Sequence, residues 1–324
     1  MIITRTPYRI SLFGGGTDHP KWFNQHRGAV VSFTINKYSY INLRILPPFF
    51  EHNFRVVYSK IELTKSADEI KHPAVKGAFL KFAPGLNLEL HHHGDLPAQS
   101  GIGSSSAFSV GVIKSLLALA NKEITDMHLA NLAIDFEQNV LHENVGSQDQ
   151  IACALGGVNL IQFEPTNKWE HKKIDFSDEY ISELEKRIVL VYSGIQRLSS
   201  DVTKTLLQDL HSKSEYMERT HELALECYDI LKNERKLSLI GGMLNESWVL
   251  KQKSNASAVT AELEEFYFRG IESGAEGGKI LGAGGGGFFL FWVNPNNRES
   301  FIKKMSPKIV VSTKITNQGS VRLN

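Results

Sequence analysis

Between Ser100 and Ala107 the chain runs Ser-Gly-Ile-Gly-Ser-Ser-Ser-Ala, with Ile102 as its one bulky side chain. The next stretch places Phe108, Val110, Val112, Ile113, Leu116, Leu117 and Leu119 at helical spacing. The chain is therefore committed here to a turn of small residues that feeds a helix start. Such a start leaves N–H groups without intrahelical acceptors, gathered at the positive end of the helix dipole. Those groups suit phosphate oxygens, and the serine hydroxyls add donors. Serine also caps ordinary helices, so the run alone does not separate a phosphate cradle from a solvated cap. No Gly-Lys-Ser/Thr comes after it, so this is not a P-loop.

A length of 324 residues suggests about two domains, at roughly 150 residues each. A hydrophobic content of 42% is enough for ordinary buried cores. The formal net charge of +1 leaves no electrostatic footprint for nucleic acid or an anionic membrane. Cys153 and Cys227 fall in apolar helical runs and read as buried free thiols, which fits a reducing compartment. Arg5 and Arg9 interrupt the N-terminal segment, so no signal peptide is expected. No run is long enough to span a membrane. The expectation is a soluble cytoplasmic protein that binds small molecules.

The coarse pattern is α+β. Strand-like runs cover 2–13, 29–35, 38–46, 54–58, 87–91, 157–163 and 187–192. Helical periodicity covers about 73–83, 104–121 and 126–142, then much of 199–231, 236–250 and 257–273. Strands at 279–281, 287–293 and 309–313 flank a short helix near 297–305. The boundary is placed near 180–195, giving domains 1–185 and 186–324. In the run His91-His92-His93, neighbours on a strand point to opposite faces, so the three do not meet one metal.

Two more glycine clusters flank the serine run. Gly14-Gly15-Gly16-Thr17-Asp18 comes after a strand carrying Arg9. Adjacent glycines let the backbone approach a ligand closely, and an aspartate beyond them offers acceptors to sugar hydroxyls. Gly282-Ala283-Gly284-Gly285-Gly286-Gly287 contains a dinucleotide-like Gly-x-Gly-x-x-Gly. It leads into Phe288–Val293, a strand rather than a helix, so a Rossmann turn is excluded. Glu137, in a helical stretch, and Asp149, twelve residues on beside Gly146, form a candidate acidic pair.

Taken together, Pro97-x-x-x-Gly101-Ile102-Gly103-Ser104-Ser105-Ser106-Ala107 and the two glycine segments resemble the three motifs of the GHMP small-molecule kinases. The resemblance spans essentially the whole chain. It implies a two-domain fold: an N-terminal α/β sandwich of the ribosomal protein S5 domain 2 type and a C-terminal ferredoxin-like domain. It implies an enzyme that uses ATP and Mg²⁺, with no nucleic-acid or membrane partner. ATP phosphates would meet Pro97, Ser100, Gly101, Ile102, Gly103, Ser104, Ser105, Ser106 and Ala107. Ser105, or its neighbour Ser104, would hold the metal with Glu137. Asp149 would act as base with Arg9 beside it. Gly15, Gly16, Thr17, Asp18, Arg197, Gly284, Gly285 and Gly286 would contact the acceptor.

The Phe-Gly-Gly-Gly-Thr-Asp form of the first motif is similar to the heptose 7-phosphate and fucose kinase branch, and lacks the acidic residue of galactokinases. Segments 46–52, 56–60, 94–98, 143–150 and 246–251 resemble the heptose-phosphate members, which implies phosphorylation of an anomeric hydroxyl for nucleotide-heptose and surface polysaccharide synthesis. The competing expectations are a kinase of an unphosphorylated sugar (fucose, mannose or a uronic acid) and a catalytically silent sugar- or nucleotide-binding regulator. A phosphorylated acceptor calls for a second anion site, with Lys37, Arg44, Arg197 beside Ser199 and Ser200, and Lys251 as candidates.

Overall fold

The computed structural model describes residues 1–166, 168–195, 213–254 and 259–324. Arg197, Ser199 and Ser200 lie outside the described residues, as does the first part of the 199–231 helical stretch.

The first half of the chain builds a mixed sheet. Strand β1 (Ile2–Phe13) pairs antiparallel with β2 (Gly28–Ile45). A one-turn helix α1 (Pro20–Phe23) intervenes, begun by Pro20 and capped by His19. The sheet continues through β3 (Phe54–Val57), β4 (Ile61–Thr64) and β5 (Leu88–Gly94) in the order β1-β2-β5-β3-β4. Strands β6 (Val158–Glu164) and β7 (Lys168–Lys173) extend it from the far end of β2.

On the inner face lie α2 (Pro73–Phe82), α3 (Ser104–Leu119), α4 (Asp126–Asp135) and α5 (Gln148–Leu155). Helix α3 is buried nearly all round. Gly111 lets it press on the sheet, since a Cβ there would stand 3.0 Å from Thr6 Oγ1 and 3.2 Å from Ile41 Cγ1. After α6 (Asp178–Arg187), strand β8 (Ile188–Tyr192) opens a second sheet. It continues with α7 (Ser214–Lys232), α8 (Ser238–Ser254), α9 (Ala261–Glu272), β9 (Ala275–Ile280), β10 (Phe288–Val293), α10 (Arg298–Met305) and β11 (Val310–Val311). The strand order is β11-β8-β10-β9.

Several elements differ from the sequence reading. The runs 29–35 and 38–46 are one strand, β2, with a register shift opposite Pro7–Arg9, because Asn36-Lys37 makes a bulge rather than a turn. Strands β4 and β7 carry little apolar pattern and lie outside the sequence expectation, as does helix α6, whose Tyr180 and Leu184 face the core. The tail also returns to the first sheet: β12 (Val321–Arg322) pairs with β1 at Thr4 and Arg5. One hydrophobic core runs from β1 and α3 through Cys227 of α7 to Leu290 and Trp292 of β10, so the two sheets share packing. No described helix is long and apolar enough to cross a membrane.

Candidate active site

The site forms where β1, the serine turn, the start of α5 and the β9–β10 turn meet. Arg9 projects from β1 beneath the serine turn. Its backbone N–H donates to Ile102 O at 3.1 Å and its Nη1 donates to Gly101 O at 2.7 Å. Gly103 (φ 71°) makes this passage possible: a Cβ there would sit 2.9 Å from Arg9 Cγ. The other edge of the guanidinium grips Asp149, with Nε to Oδ1 and Nη2 to Oδ2 both at 2.6 Å. The Arg9 side chain is 4% exposed and Asp149 is 25% exposed, so the base has one open side. Burial works against the Arg9 charge, but the Asp149 carboxylate outweighs it and holds the guanidinium above its ordinary pKa.

Asp149 sits in the first turn of α5, and its neighbour Asp18 sets that helix start. Asp18 Oδ2 accepts the backbone N–H of Gln148 at 3.2 Å, and Oδ1 accepts Gln148 Nε2 at 3.0 Å and Gly16 N–H at 2.9 Å. Ser147 makes no side-chain cap, so a carboxylate from the first glycine turn caps α5 from across the fold. Gly146 must lack a side chain, because a Cβ would stand 1.9 Å from Asp18 Oδ2. Burial, with the Asp149 charge second, raises the Asp18 pKa. Asp18, expected to contact the acceptor, is 3% exposed and is bonded through both oxygens to Gly16 and the start of α5, so it also positions that helix. Thr17 is likewise structural: its hydroxyl donates to Gly14 O and accepts from Ala29 N–H, tying the turn to β2. Gly15 and Gly16 keep partial exposure beside it.

Within the serine turn the expected residues divide into donors and framework. The first helical bond runs from Ala107 N–H to Gly103 O at 2.9 Å, so Ala107 has no amide to offer. Pro97 has no N–H, and its carbonyl takes the Ser100 hydroxyl at 2.6 Å. Ile102 buries its side chain fully. Ser104, Ser105 and Ser106 occupy the first turn, whose amides meet no backbone acceptor among the described residues. The Ser104 hydroxyl accepts Gln99 N–H at 3.2 Å.

Glu137 stands behind that turn, on a single π-helical turn after α4 closed by Leu141 N–H to Phe136 O. A π-turn is frequent at functional sites because it re-aims one side chain. Glu137 is 1% exposed. Its Oε2 accepts the Ser106 hydroxyl at 2.9 Å and a short bond from Gln150 Nε2, and the Ser109 hydroxyl also favours the carboxylate. Burial pushes the carboxyl up to about 7, with the Glu143 charge acting the same way. The serine that meets Glu137 is thus Ser106 and not Ser105, which is exposed; helical rotation over one residue turns Ser106 inward. Gln138 ties this turn to the approach to Asp149 through Val145 O and Ser147 Oγ, both at 3.1 Å.

The third glycine segment joins antiparallel β9 and β10, as the strand-like sequence after it requires. Gly284, Gly285 and Gly286 are buried with positive φ. The turn lies backbone to backbone on the serine run: Phe288 N–H donates to Ser100 O, and a Cβ on Gly101 would stand 2.5 Å from Leu281 O. Lys279 crosses from β9 to donate to Leu12 O on β1 at 3.1 Å, and Lys251 of α8 donates to Gly282 O at 2.8 Å. Arg44 is not part of the site; it pairs with Glu89 on β5. Lys37 lies in the β2 bulge next to Asn36, which bonds the C-terminal tail. Sequence reasoning assigned no work to Gln148, Gln150 or Gly146. The signal for them was the Gly-x-x-Asp-Gln segment itself, which contains Gly146 and Gln150 and has Gln148 directly before Asp149.

Residues 68–157, which hold the serine turn, Glu137 and Asp149, match the family model for the GHMP kinase N-terminal domain. A D-glycero-alpha-D-manno-heptose 7-phosphate kinase of Campylobacter jejuni is 30% identical, covering 94% of this chain and 93% of that protein. The chain belongs to the GHMP kinase family, whose members are ATP-dependent phosphotransferases. Within the family it is a sugar kinase: a galactokinase of Pyrococcus furiosus is 28% identical, covering 92% of this chain and 91% of that protein. The fold is shared with a crystal structure described as a D-glycero-D-manno-heptose 1-phosphate kinase from Bacteroides thetaiotaomicron. The TM-score is 0.83 at 20% identity, over 100% of this chain and 99% of that one.

Proposed function

We propose that this kinase transfers the γ-phosphoryl group of ATP to the anomeric hydroxyl of D-glycero-D-manno-heptose 7-phosphate, giving the 1,7-bisphosphate. The geometry that carries the chemistry is the two-pronged Arg9–Asp149 pair under Gly101. The acceptor is supported by the Campylobacter relative named for that sugar phosphate. A cytoplasmic location agrees with an ATP-consuming reaction and two free cysteines. The product has the chemistry needed by a later nucleotidyl transfer at C1, which fits nucleotide-heptose and surface polysaccharide synthesis.

Phosphoryl transfer requires positioning and charge neutralisation more than covalent help. The first-turn amides of Ser104, Ser105 and Ser106, at the positive end of α3, receive phosphate oxygens. Arg9 orients the Asp149 carboxylate toward the acceptor. Asp149 then accepts the proton as the acceptor oxygen forms its bond to γ-phosphorus and the bond to the ADP oxygen breaks. An anomeric hydroxyl is more acidic than an ordinary alcohol, so a modest base suffices.

The buried Glu137 carboxylate, with the Ser106 hydroxyl on Oε2, suits a hard divalent cation, and these two residues would hold Mg²⁺. When bound, Mg²⁺ neutralises charge on the β- and γ-phosphates. The test is a panel of sugars and sugar phosphates with ADP release measured and the product read by phosphorus NMR. A new anomeric phosphate on the heptose 7-phosphate, at the highest kcat/KM of the panel, is the expected result. Preference for an unphosphorylated sugar overturns the acceptor, and sugar binding without ADP release overturns catalysis.

A further inference from the structure

Lys279 is a buried cation that the mechanism above does not use. It is 8% exposed on β9. Its ammonium donates to the neutral Leu12 carbonyl and lies 6.0 Å from the centroid of the Phe13 ring. No carboxylate among the described residues is in ion-pair contact with it. Asp149 is committed to Arg9 by both oxygens, so it does not neutralise Lys279 either. Burying an ammonium group without a counter-charge costs several kcal/mol after relaxation, which is expensive for packing alone. A second lysine lies nearby: Lys251 reaches from α8 and donates to Gly282 O, at the turn that Lys279 precedes by three residues. Lys251 feels the Lys279 charge, and Lys279 feels Arg9.

We propose that Lys251 and Lys279 form an anion subsite beside the Gly282–Gly287 turn that receives the phosphate already carried by the sugar acceptor. The inference rests on the sugar-kinase reading. Two ammonium charges match one phosphate monoester, which carries about −1.5 to −2 at neutral pH. The subsite belongs to the second sheet and α8. The triphosphate has its own donors in the first turn of α3, across the Gly101–Leu281 contact. A phosphate at one end of the sugar and the reacting hydroxyl at the other would then be held between the two glycine turns.

Before the sugar binds, burial holds Lys279 at about 8 and Lys251 at about 7, with Arg9 lowering the first, Cys227 raising it, and Lys279 lowering the second. A dianion raises both, so binding draws protons from solution: about one per site near pH 8.

The test uses the full chain, D-glycero-D-manno-heptose 7-phosphate and the phosphate-free heptose. Calorimetry of the unsubstituted protein in two buffers of different ionisation enthalpy measures proton uptake. Kinetics compare it with Lys279→Met, Lys251→Met and Lys279→Arg. Expected results are uptake of about one proton with the phosphorylated sugar and none with the free heptose. KM for the phosphorylated sugar rises about 10- to 100-fold in the Met variants, with kcat and KM for ATP within a few-fold and partial recovery in the Arg variant. A fall in kcat alone assigns the lysines to the transferred group, and a rise in KM for ATP assigns them to the triphosphate; either overturns the proposal and leaves the kinase reading intact. Absence of proton uptake overturns it without any variant. Turnover of phosphate-free sugars only by the unsubstituted protein overturns both this subsite and the acceptor reading.

Discussion

Replacing Asp149 with Asn keeps the side-chain shape and removes the charge, and the structure separates its consequences. Arg9 loses its counter-charge while only 4% exposed, and one of its two 2.6 Å bonds loses a carboxylate acceptor. Breaking a fully buried ion pair costs about 3–5 kcal/mol. Asp149 keeps a quarter of its side chain in solvent and the amide retains one acceptor, so about 2–3 kcal/mol is expected. At about 2–4 °C per kcal/mol, the melting temperature falls by about 4–12 °C, read by circular dichroism. Loss of the base lowers kcat by about 10²–10⁴, read as ADP release at saturating sugar. ATP affinity, read by calorimetry, stays within a few-fold, because the amides of Ser104, Ser105 and Ser106 do not touch Asp149. A kcat within tenfold of the unsubstituted enzyme refutes the base assignment. A collapse of ATP affinity shows instead that Asp149 acts through Arg9 and Gly101 to shape the serine turn.

Glu137 has a folded-state pKa raised to about 7 by burial. Its contribution to stability is therefore complete below its unfolded value and is lost as pH rises through about 7. Over that window the metal-free protein loses up to about 3 kcal/mol that Glu137→Gln does not lose, measured by urea unfolding at pH 5 and pH 8. Mg²⁺ favours the ionised carboxylate, so its addition at pH 8 restores stability to the unsubstituted protein and not to the Gln variant. Of the neighbouring serines, Ser106→Ala removes the hydroxyl bonded to Glu137 and lowers kcat at least tenfold at limiting Mg²⁺. Ser105→Ala leaves the Mg²⁺ requirement unchanged, and a reversed order in metal titrations contradicts the inward orientation of Ser106.

Local patterns that stand on their own periodicity were legible in the sequence. The serine turn and α3 come from small residues passing into an apolar helical repeat. The strand after Gly287 excluded a dinucleotide site, as the β9–β10 hairpin shows. Strands β4 and β7 were not legible, since their residues alternate weakly and they are held by pairing with β3 and β6. Asn36-Lys37 divides β2 into two runs, 29–35 and 38–46, because a polar pair between apolar runs has the same local signature at a bulge as at a strand end.

What the sequence determined by itself was an inventory: three glycine-rich turns, an arginine on a strand, two carboxylates twelve residues apart, and serines at a helix start. The family resemblance put Arg9 beside Asp149, but only tertiary structure fixed the geometry of that pair and the serine that meets Glu137. Arg9 and Asp149 are 140 residues apart and Glu137 and Ser106 are 31 apart, separations at which no local rule pairs side chains. The contact of Ser106 with Glu137 and the capping of α5 by Asp18 depend on which face α3 and α5 turn to β1, and that is set by packing across the whole core. The lysine pair is the extreme case. Lys251 was one of several anion-site candidates and Lys279 alone reads as a solvated loop-edge residue; their proximity exists only once α8 and β9 close on the first sheet.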